Sequence, residues 1–162
     1  MSDRVTNVVV AGLGGQGVLK ASDIVAEAAF RAGRDVKKSE IHGMSQRGGS
    51  VTSDVRFGTQ VLSPMVPGGE AHYLLVLAPD QIENNRARLR PDGVLVEPSV
   101  LDTDRLPHPR SLNVALLGVL STHLDFELEH WQAAIQSNLP QKVHELNAVA
   151  FEMGRQAARS TP

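Results

Sequence analysis

A buried strand followed directly by a glycine turn and a helix is the feature that most restricts the fold of this chain. Residues 7–11, NVVVA, form a continuous apolar run rich in β-branched side chains, which is typical of a strand buried on both faces of a sheet. The turn GLGGQG follows at once, and residues 18–32 then place apolar side chains at helical spacing. Gly33 stands where a helix C-terminal cap is expected. Strand, turn and helix in this order predict the first half of a βαβ unit.

The rest of the chain continues the alternation of strands and helices. Five further strands are predicted from short apolar or alternating runs, at residues 35–39, 51–57, 61–63, 73–78 and 94–100. A charged helix is predicted to open at Pro79 and to end before Pro91, and three helical patterns follow from Leu112 onward. We therefore predict an α/β fold: a three-layer α/β/α domain with a Rossmann-like start and a helical C-terminal third. Its sheet is expected to be mainly parallel but mixed, because residues 51–63 would form a hairpin.

The composition fits a single domain of this class. A chain of 162 residues is long enough for one hydrophobic core and short for two, so one domain spanning residues 1–162 is expected. Apolar residues make up 41% and charged residues 21%, which argues against disorder. The formal net charge of -2 gives no indication of nucleic acid or of an anionic membrane surface as a partner.

Two absences in the sequence restrict compartment and cofactor. The N-terminal residues lack the apolar stretch of a signal peptide, and no run approaches the about 18 apolar residues of a membrane-spanning helix, so a cytoplasmic location is expected. The sequence contains no cysteine, which excludes disulfides and thiolate ligation of metals or iron–sulfur clusters by this chain. Any iron–sulfur cluster that works with this protein would therefore belong to another subunit.

The glycine turn matches the pattern G-x-G-x-x-G, with the strand before it and the helix after it that the pattern requires. Its candidate binding residues are Gly12, Gly14, Gly15, Gln16 and Gly17. Free N–H groups and the positive dipole end of the following helix would attract an anion there. The turn is also compatible with a purely structural role in close packing. A nicotinamide site would need an acid at the end of the second strand, whereas Asp35 begins that strand and Glu40 precedes an unusual loop.

That unusual loop is rich in glycine and follows the second predicted strand, within SEIHGMSQRGGS at residues 39–50. Its candidate binding residues are Gly43, Ser45, Gln46, Arg47, Gly48 and Gly49. Because ligands gather where the strands of an open α/β sheet end, the two glycine loops are expected to be neighbours at a binding edge. Arg47 would suit a phosphate or a partner carboxylate, or would be a solvated loop arginine. His42 is expected to bond to backbone rather than to act as a base.

Three segments carry a resemblance to a known family. VAGLGGQGVLKAS, SEIHGMSQRGGSVTSDVRFG and PRSLNVALLG resemble the gamma component of 2-oxoacid:ferredoxin oxidoreductases, with the closest likeness to the small beta subunit of indolepyruvate:ferredoxin oxidoreductase. The resemblance runs in order from about Asn7 to the last helix. It implies a subunit of a complex that oxidatively decarboxylates a 2-oxoacid, an arylpyruvate such as indolepyruvate, to an acyl-CoA and passes the electrons to ferredoxin. A free-standing nicotinamide-dependent oxidoreductase of Rossmann type is the alternative.

The resemblance also implies a division of labour between subunits. Thiamine diphosphate and the iron–sulfur clusters would belong to a larger partner subunit, and coenzyme A would lie at the shared interface beside the two glycine loops. This chain would then supply no catalytic residue and no metal ligand, and would be inactive alone. The segment at residues 101–110 is shorter than in the family, which predicts a sheet one strand short with an edge for a partner to cover.

The remaining polar and aromatic residues are assigned to structure. His72, His108, His123, His130 and His144 show no metal-ligand spacing and are expected at the surface or in packing. Asn113 is predicted to be a helix cap or a loop anchor. Trp131, the single tryptophan, is predicted to lie in the core.

Overall fold

The computed structural model of the protein describes residues 4–42 and 49–160. Over these residues the chain forms five strands: β1 (Thr6–Leu13), β2 (Asp35–His42), β3 (Ser50–Gly58), β4 (Ala71–Val76) and β5 (Leu89–Val96). The α-helices are α1 (Val18–Arg31), α2 (Ile82–Asn85), α3 (Leu112–Ser121), α4 (Leu128–Asn138) and α5 (His144–Ser160). No helix within these two ranges is long and apolar enough to cross a membrane.

Strand β3 lies between β1 and β2 in the five-stranded sheet, whose order is β2-β3-β1-β4-β5. It runs antiparallel to both neighbours, whereas β1, β4 and β5 pair in parallel. The cause is the short connection at residues 43–49, which can close a hairpin from β2 to β3 but is too short for a parallel crossover. Strands β1, β2, β4 and β5 therefore point the same way, and their carboxyl ends share one edge of the sheet.

The mixed α/β fold with its Rossmann-like start and helical C-terminal third is confirmed. The predicted return strand at residues 61–63 is wrong, since these residues form no strand and β3 pairs with β2 instead. Carboxylates accept hydrogen bonds from one backbone group in this segment and from another just after it. Val61 N donates to Asp35 Oδ2 at 2.7 Å, and Val66 N donates to Asp54 Oδ2 at 2.9 Å. The segment is consequently held on the sheet as irregular chain.

Two other boundaries differ from the prediction. Strand β5 runs from Leu89 to Val96 and includes Pro91, which an edge strand tolerates because one side of its backbone has no partner strand among the described residues. The helix predicted from Pro79 is reduced to α2 between single 3-10 turns. Here Asn85 Nδ2 donates to the Gln81 carbonyl oxygen at 2.8 Å, so a side chain takes up a backbone acceptor that a continuous helix would use.

The two faces of the sheet are covered unequally. Helices α1, α3, α4 and α5 pack on the face that carries Val8, and Trp131 is fully buried among them, as predicted. The opposite face, which carries Val9, is covered by Val66 of the irregular segment and by Ile82 of α2. The fold therefore has a thick helical layer, the sheet and a thin second layer.

A buried ion pair supports the thin layer. Arg88 Nη1 and Nη2 donate to the two carboxylate oxygens of Asp54 at 2.8 and 2.7 Å. The side chain of Asp54 is 1% exposed, and the same carboxylate accepts the hydrogen bond from Val66 N. Arg88 is 23% exposed, so the pair is buried on its Asp54 side, and its two parallel hydrogen bonds fix the chain after α2 to β3.

Helices α3 and α5 cross at close range. A Cβ added at Gly118 would collide with the carbonyl oxygen of Phe151, and one added at Gly154 would collide with that of Ala115. Glycine at both positions allows the two backbones to approach. This contact fixes α3, whose first turn reaches the glycine turn after β1.

Candidate functional site

The glycine turn after β1 is closed by its own glutamine. Gln16 Oε1 accepts a hydrogen bond from Leu13 N at 2.7 Å, and Gln16 N donates to the Leu13 carbonyl oxygen at 3.2 Å. Gly15 and Gly17 have φ values of 88° and 82°, in the left-handed region that disfavours other residues. The turn thus needs glycine at both positions to pass from strand to helix.

Gly12 has a different role from the glycines that follow it. It is buried, and a Cβ added there would lie 2.9 Å from Val18 Cγ2 and 3.1 Å from Leu77 Cβ. The absence of a side chain lets α1 start against the ends of β1 and β4. Gly12 therefore serves close packing, whereas Gly14 and Gly15 are exposed at the edge of the sheet.

Asn113 anchors the glycine turn to the start of α3. Its Nδ2 donates to the Gly17 carbonyl oxygen at 3.2 Å, and its Oδ1 accepts from Val114 N at 2.9 Å. The side chain is buried, and a Cβ added at Gly17 would lie 2.5 Å from Asn113 Nδ2. The prediction of a loop anchor at Asn113 is confirmed.

The chain just before α3 forms a tight turn around His108. His108 Nδ1 accepts from Arg110 N at 3.0 Å, and the His108 carbonyl oxygen accepts from Ser111 Oγ at 2.6 Å. The Ser111 N–H donates to the same carbonyl at 2.9 Å. These bonds order residues 108–111 and hold Arg110 beside the glycine turn.

An open cleft of about 580 Å³ lies between the glycine turn and the start of α3, and we name it the turn cleft. It is lined by Gly15, Gln16, Gly17, Lys20, Pro109, Arg110, Leu112 and Asn113. Lys20 and Arg110 supply two positive charges, and the described lining residues include no carboxylate. The first N–H groups of α1 have no acceptor within the helix and add the positive end of its dipole. The turn cleft is suited to an anion such as a phosphate group.

The second glycine loop reaches the same edge of the sheet. Gly14 N donates to the Gly49 carbonyl oxygen at 2.9 Å, and Leu13 pairs with Ser50 between β1 and β3. The expected adjacency of the two loops is thus confirmed at the described end of the second one. The other predicted residues of that loop lie outside the described part of the chain, so their contacts stay predictions: Gly43, Ser45, Gln46, Arg47 and Gly48.

A second cleft, of about 630 Å³, adjoins the turn cleft at the carboxyl ends of β4 and β5. We name it the proline cleft, and it is lined by Leu77, Pro79, Pro98, Thr103, Asp104, Leu106, Pro109 and Leu112. Pro109 and Leu112 line both clefts. The sequence interpretation missed Lys20, Arg110 and this cleft. Of these, only Lys20 could have been predicted from the sequence, since it falls in the first turn of the helix after the glycines.

The geometry does not supply the acid of a Rossmann nicotinamide site. Asp35 lies at the start of β2, where it accepts from Val61 N. Glu40 lies near the end of β2 and accepts from Lys38 Nζ at 3.1 Å. Strand β3 separates β2 from β1, so neither carboxylate stands beside the glycine turn as a ribose ligand would.

Comparison with known proteins identifies the family. The sequence matches the model of a family described as pyruvate ferredoxin/flavodoxin oxidoreductase over residues 7–108. The chain belongs to this family. It is 31% identical to indolepyruvate oxidoreductase subunit IorB of Pyrococcus horikoshii, in a match that covers 94% of this chain and 96% of the relative. The chain is thereby a small subunit of a 2-oxoacid:ferredoxin oxidoreductase, as its motifs predicted.

Solved structures share the fold. The gamma subunit of a keto/oxoacid ferredoxin oxidoreductase from Geobacter sulfurreducens superposes with a TM-score of 0.82 at 25% identity, covering 96% of this chain and 99% of that one. A 2-oxoglutarate:ferredoxin oxidoreductase from Magnetococcus marinus, with 2-oxoglutarate, coenzyme A and succinyl-CoA bound, superposes with a TM-score of 0.85 at 20% identity. It covers 99% of this chain but only 32% of that one, so there the same fold is one part of a longer chain.

The relatives are longer than this chain in places. The match to the Pyrococcus horikoshii subunit extends over 193 aligned positions, although this chain has 162 residues. The relative therefore carries insertions relative to this chain. The placement of the shortening at residues 101–110 stays a prediction.

Proposed function

We propose that the chain is the small subunit of a thiamine-diphosphate-dependent complex that converts a 2-oxoacid to an acyl-CoA and passes the electrons to ferredoxin. Its substrate is an arylpyruvate such as indolepyruvate, and the similarity to an indolepyruvate oxidoreductase subunit supports this choice. The whole chain, residues 1–162, acts as one gamma-type domain. The observation that carries the proposal is the cationic turn cleft, built where the glycine turn meets the start of α3.

The chemistry is divided between subunits in this proposal. A larger partner holds thiamine diphosphate and the iron–sulfur clusters, which supply the decarboxylation and the electron path. This chain has no cysteine to ligate a cluster. It contributes no catalytic residue and no metal ligand, and among its described residues no group of three or more His, Asp or Glu is placed to hold a metal ion.

Coenzyme A is the ligand proposed for the turn cleft. Its phosphates are anionic, and the cleft offers Lys20, Arg110 and the N-terminal N–H groups of α1. The Magnetococcus marinus structure, which has coenzyme A bound, shares this fold. The proposed contacts come from both glycine loops: Gly14, Gly15, Gln16, Gly17, Gly43, Ser45, Gln46, Arg47, Gly48 and Gly49. Gly12 supports them by packing the turn, since it is buried.

Anaerobic purification of a tagged full chain tests the subunit assignment. Partner mass, iron and thiamine diphosphate are measured in the same sample, and the purified material is then offered a set of 2-oxoacids. A large partner that carries iron and thiamine diphosphate, with highest turnover on an arylpyruvate, is the expected result. A lone chain or a homodimer without either group would overturn the assignment.

Substitution of a cleft lysine tests the coenzyme assignment separately. Lys20→Ala removes one positive charge from the turn cleft, and Lys142→Ala removes one from an exposed site between α4 and α5 as a matched control. Calorimetry should show coenzyme A affinity reduced roughly tenfold by the first change, since a charge-assisted hydrogen bond contributes about that much. The coenzyme A affinity should be unchanged by Lys142→Ala. Equal affinities in the two variants would remove Lys20 from the site.

A further inference from the structure

A row of polar side chains crosses the thinly covered face of the sheet near the amino ends of the parallel strands. Arg56 pairs with Asn7 between β3 and β1, and Asn7 N donates to His72 Nδ1 on β4 at 3.0 Å. The row lies two residues before Val9 and Leu74, which are fully buried apolar residues of the same face. Polar groups thus stand where apolar side chains would continue this face of the core.

The polar row lines an open cleft of about 420 Å³, which we name the amino-edge cleft. Arg56, Asn7 and His72 line it together with Glu70 and Arg90. Asn7, His72 and Arg90 are each the second residue of a parallel strand, so this cleft lies at the opposite edge of the sheet from the turn cleft. Its volume is within the range of sites that hold small organic ligands.

Both arginines of the cleft are fixed through one side of the guanidinium group. Arg56 Nε donates to Asn7 Oδ1 at 2.9 Å, and Arg56 Nη1 donates to the Ser63 carbonyl oxygen at 2.8 Å. Arg90 Nε lies 2.6 Å from Asp92 Oδ1 in an ion pair. Arg56 Nη2 and both Nη atoms of Arg90 have no hydrogen-bond partner among the described residues. Guanidinium groups that are already held in place lose little side-chain entropy when they bind an anion.

The hydrogen bond from Asn7 determines which nitrogen of His72 can donate. Because Nδ1 accepts from a backbone N–H, the proton of the neutral ring is on Nε2. Burial, and then the nearby charge of Arg90, lower the pKa of His72, so the ring is neutral at about pH 7. His72 therefore supplies a third donor without adding a charge.

Two carboxylates limit the charge of the ligand that the cleft can hold. Glu70 lines the cleft, and Asp92 pairs with Arg90. Their charges offset those of the two arginines, so an anion would be held by directed hydrogen bonds more than by a net positive field. A second negative charge on the ligand would be repelled by Glu70.

We propose that the amino-edge cleft binds the carboxylate group of a small organic monocarboxylate, which accepts hydrogen bonds from Arg56, Arg90 and His72 Nε2. The guanidinium group matches the two oxygens of a carboxylate in geometry. This inference is independent of the proposed function, because none of the described residues that line the turn cleft takes part in it.

Nuclear magnetic resonance titration of the full chain with three probes tests this site. The probes are propionate, propionamide, which has nearly the same shape without the charge, and succinate, which carries two charges. Propionate should shift the His72 Nε2 and Asn7 amide resonances and bind at least roughly tenfold more tightly than propionamide, since charge-assisted hydrogen bonds are the stronger ones. Succinate should bind more weakly than propionate, and Glu70→Gln should narrow this difference.

A pair of arginine variants separates the site from a general effect of surface charge. Arg90→Gln should weaken propionate binding roughly tenfold, because it removes a charged donor from the cleft. Arg31→Gln is the matched control: Arg31 is 42% exposed and its Nε lies 2.7 Å from Glu27 Oε2, whereas Arg90 is 41% exposed and pairs through Nε with Asp92. Arg31 does not line the amino-edge cleft, so its variant should bind propionate as the wild type does.

Several outcomes would overturn the carboxylate site. These are equal binding of propionate and propionamide, wild-type affinity in Arg90→Gln, and equal weakening by Arg31→Gln. Propionate shifts that leave His72 and Asn7 unchanged would also overturn it. The subunit and coenzyme assignments are decided by their own experiments and would stand in each case.

Discussion

Asn113 and Gly17 are separated by 96 positions in the sequence and meet through one hydrogen bond, from Asn113 Nδ2 to the Gly17 carbonyl oxygen at 3.2 Å. The same carbonyl accepts from Ala21 N at 2.9 Å, as the first hydrogen bond of α1. The starts of α1 and α3 are thereby fixed to each other. The turn cleft lies between them, so its shape depends on this contact.

Removal of the Asn113 amide should therefore affect both stability and binding. Asn113→Ala leaves a polar carbonyl without one of its donors, which should lower the free energy of unfolding by about 1–2 kcal/mol. Asn113→Ala should also weaken coenzyme A binding, since the hydrogen bond that fixes the two sides of the turn cleft to each other is lost. Asn147→Ala is the control, because Asn147 is equally buried and its Nδ2 donates to the Val143 carbonyl oxygen at 2.9 Å. Urea unfolding and calorimetry should show similar destabilisation but weaker binding for Asn113→Ala alone; equal binding would contradict the account.

The two left-handed glycines at the ends of α1 provide a second matched pair. Gly17→Ala and Gly33→Ala each place a Cβ at a positive φ, of 82° and 85°, which costs about 1–2 kcal/mol. At Gly33 the added Cβ meets no atom within 4 Å, whereas at Gly17 it lies 2.5 Å from Asn113 Nδ2. Gly17→Ala should thus be the more destabilising of the two in urea unfolding and should also displace Asn113. Equal urea midpoints for the two variants would show that the contact between the added Cβ and Asn113 has no effect on stability.

The ion pair of the thin layer should contribute far more to the free energy of unfolding than an exposed ion pair nearby. Arg88→Met leaves the Asp54 side chain, which is 1% exposed, without its ion-pair partner, and such a loss costs about 3 kcal/mol or more. Arg86→Met breaks the exposed pair between Arg86 and Glu83, which should cost less than about 1 kcal/mol. Chemical denaturation of both variants measures the difference. A cost for Arg88→Met no larger than that for Arg86→Met would argue against a structural role of the pair.

His72 should make stability depend on pH. Burial, and then the nearby charge of Arg90, lower the pKa of His72, whose Nδ1 accepts from Asn7 N at 3.0 Å. The unfolded chain therefore takes up a proton below about pH 6.5 that the folded chain resists, so stability falls as pH falls through that value. His72→Gln keeps an acceptor but cannot titrate. Its unfolding free energy should change less than that of the wild type between about pH 7.5 and about pH 5.5; identical pH profiles would contradict this reasoning.

The sequence predicts those parts of the fold that depend on local chemistry. The run at residues 7–11, the glycines up to Gly17 and the helix ending before Gly33 all act over a few neighbouring residues, and each lies where it was predicted. Asn113 was also predicted to be an anchor, because its place at a helix start restricts its role. The residue that Asn113 contacts, Gly17, could not be predicted from the spacing of residues along the sequence.

Other features depend on contacts between distant segments. The Asp35 carboxylate accepts from Val61 N inside the predicted strand, and the Asp54 carboxylate accepts from Val66 N just after it, so this segment is held on the sheet as irregular chain. No pattern among neighbouring residues predicts that a distant carboxylate will bind a backbone N–H group that a strand would otherwise use. In the same way, Arg110 joins Lys20 at the turn cleft only because α3 packs against α1, so the cationic character of the site emerges from tertiary structure.

Reconstituted turnover tests whether a thiamine-dependent partner needs this chain to form acyl-CoA. The full chain alone, the thiamine-dependent partner alone and the two together are assayed anaerobically with indolepyruvate, coenzyme A and ferredoxin, and both acyl-CoA and reduced ferredoxin are measured. We expect turnover by the mixture, no turnover by this chain alone and a partner that depends on the chain for acyl-CoA formation. Turnover by the chain alone, or a partner whose acyl-CoA formation is the same without it, would contradict the account.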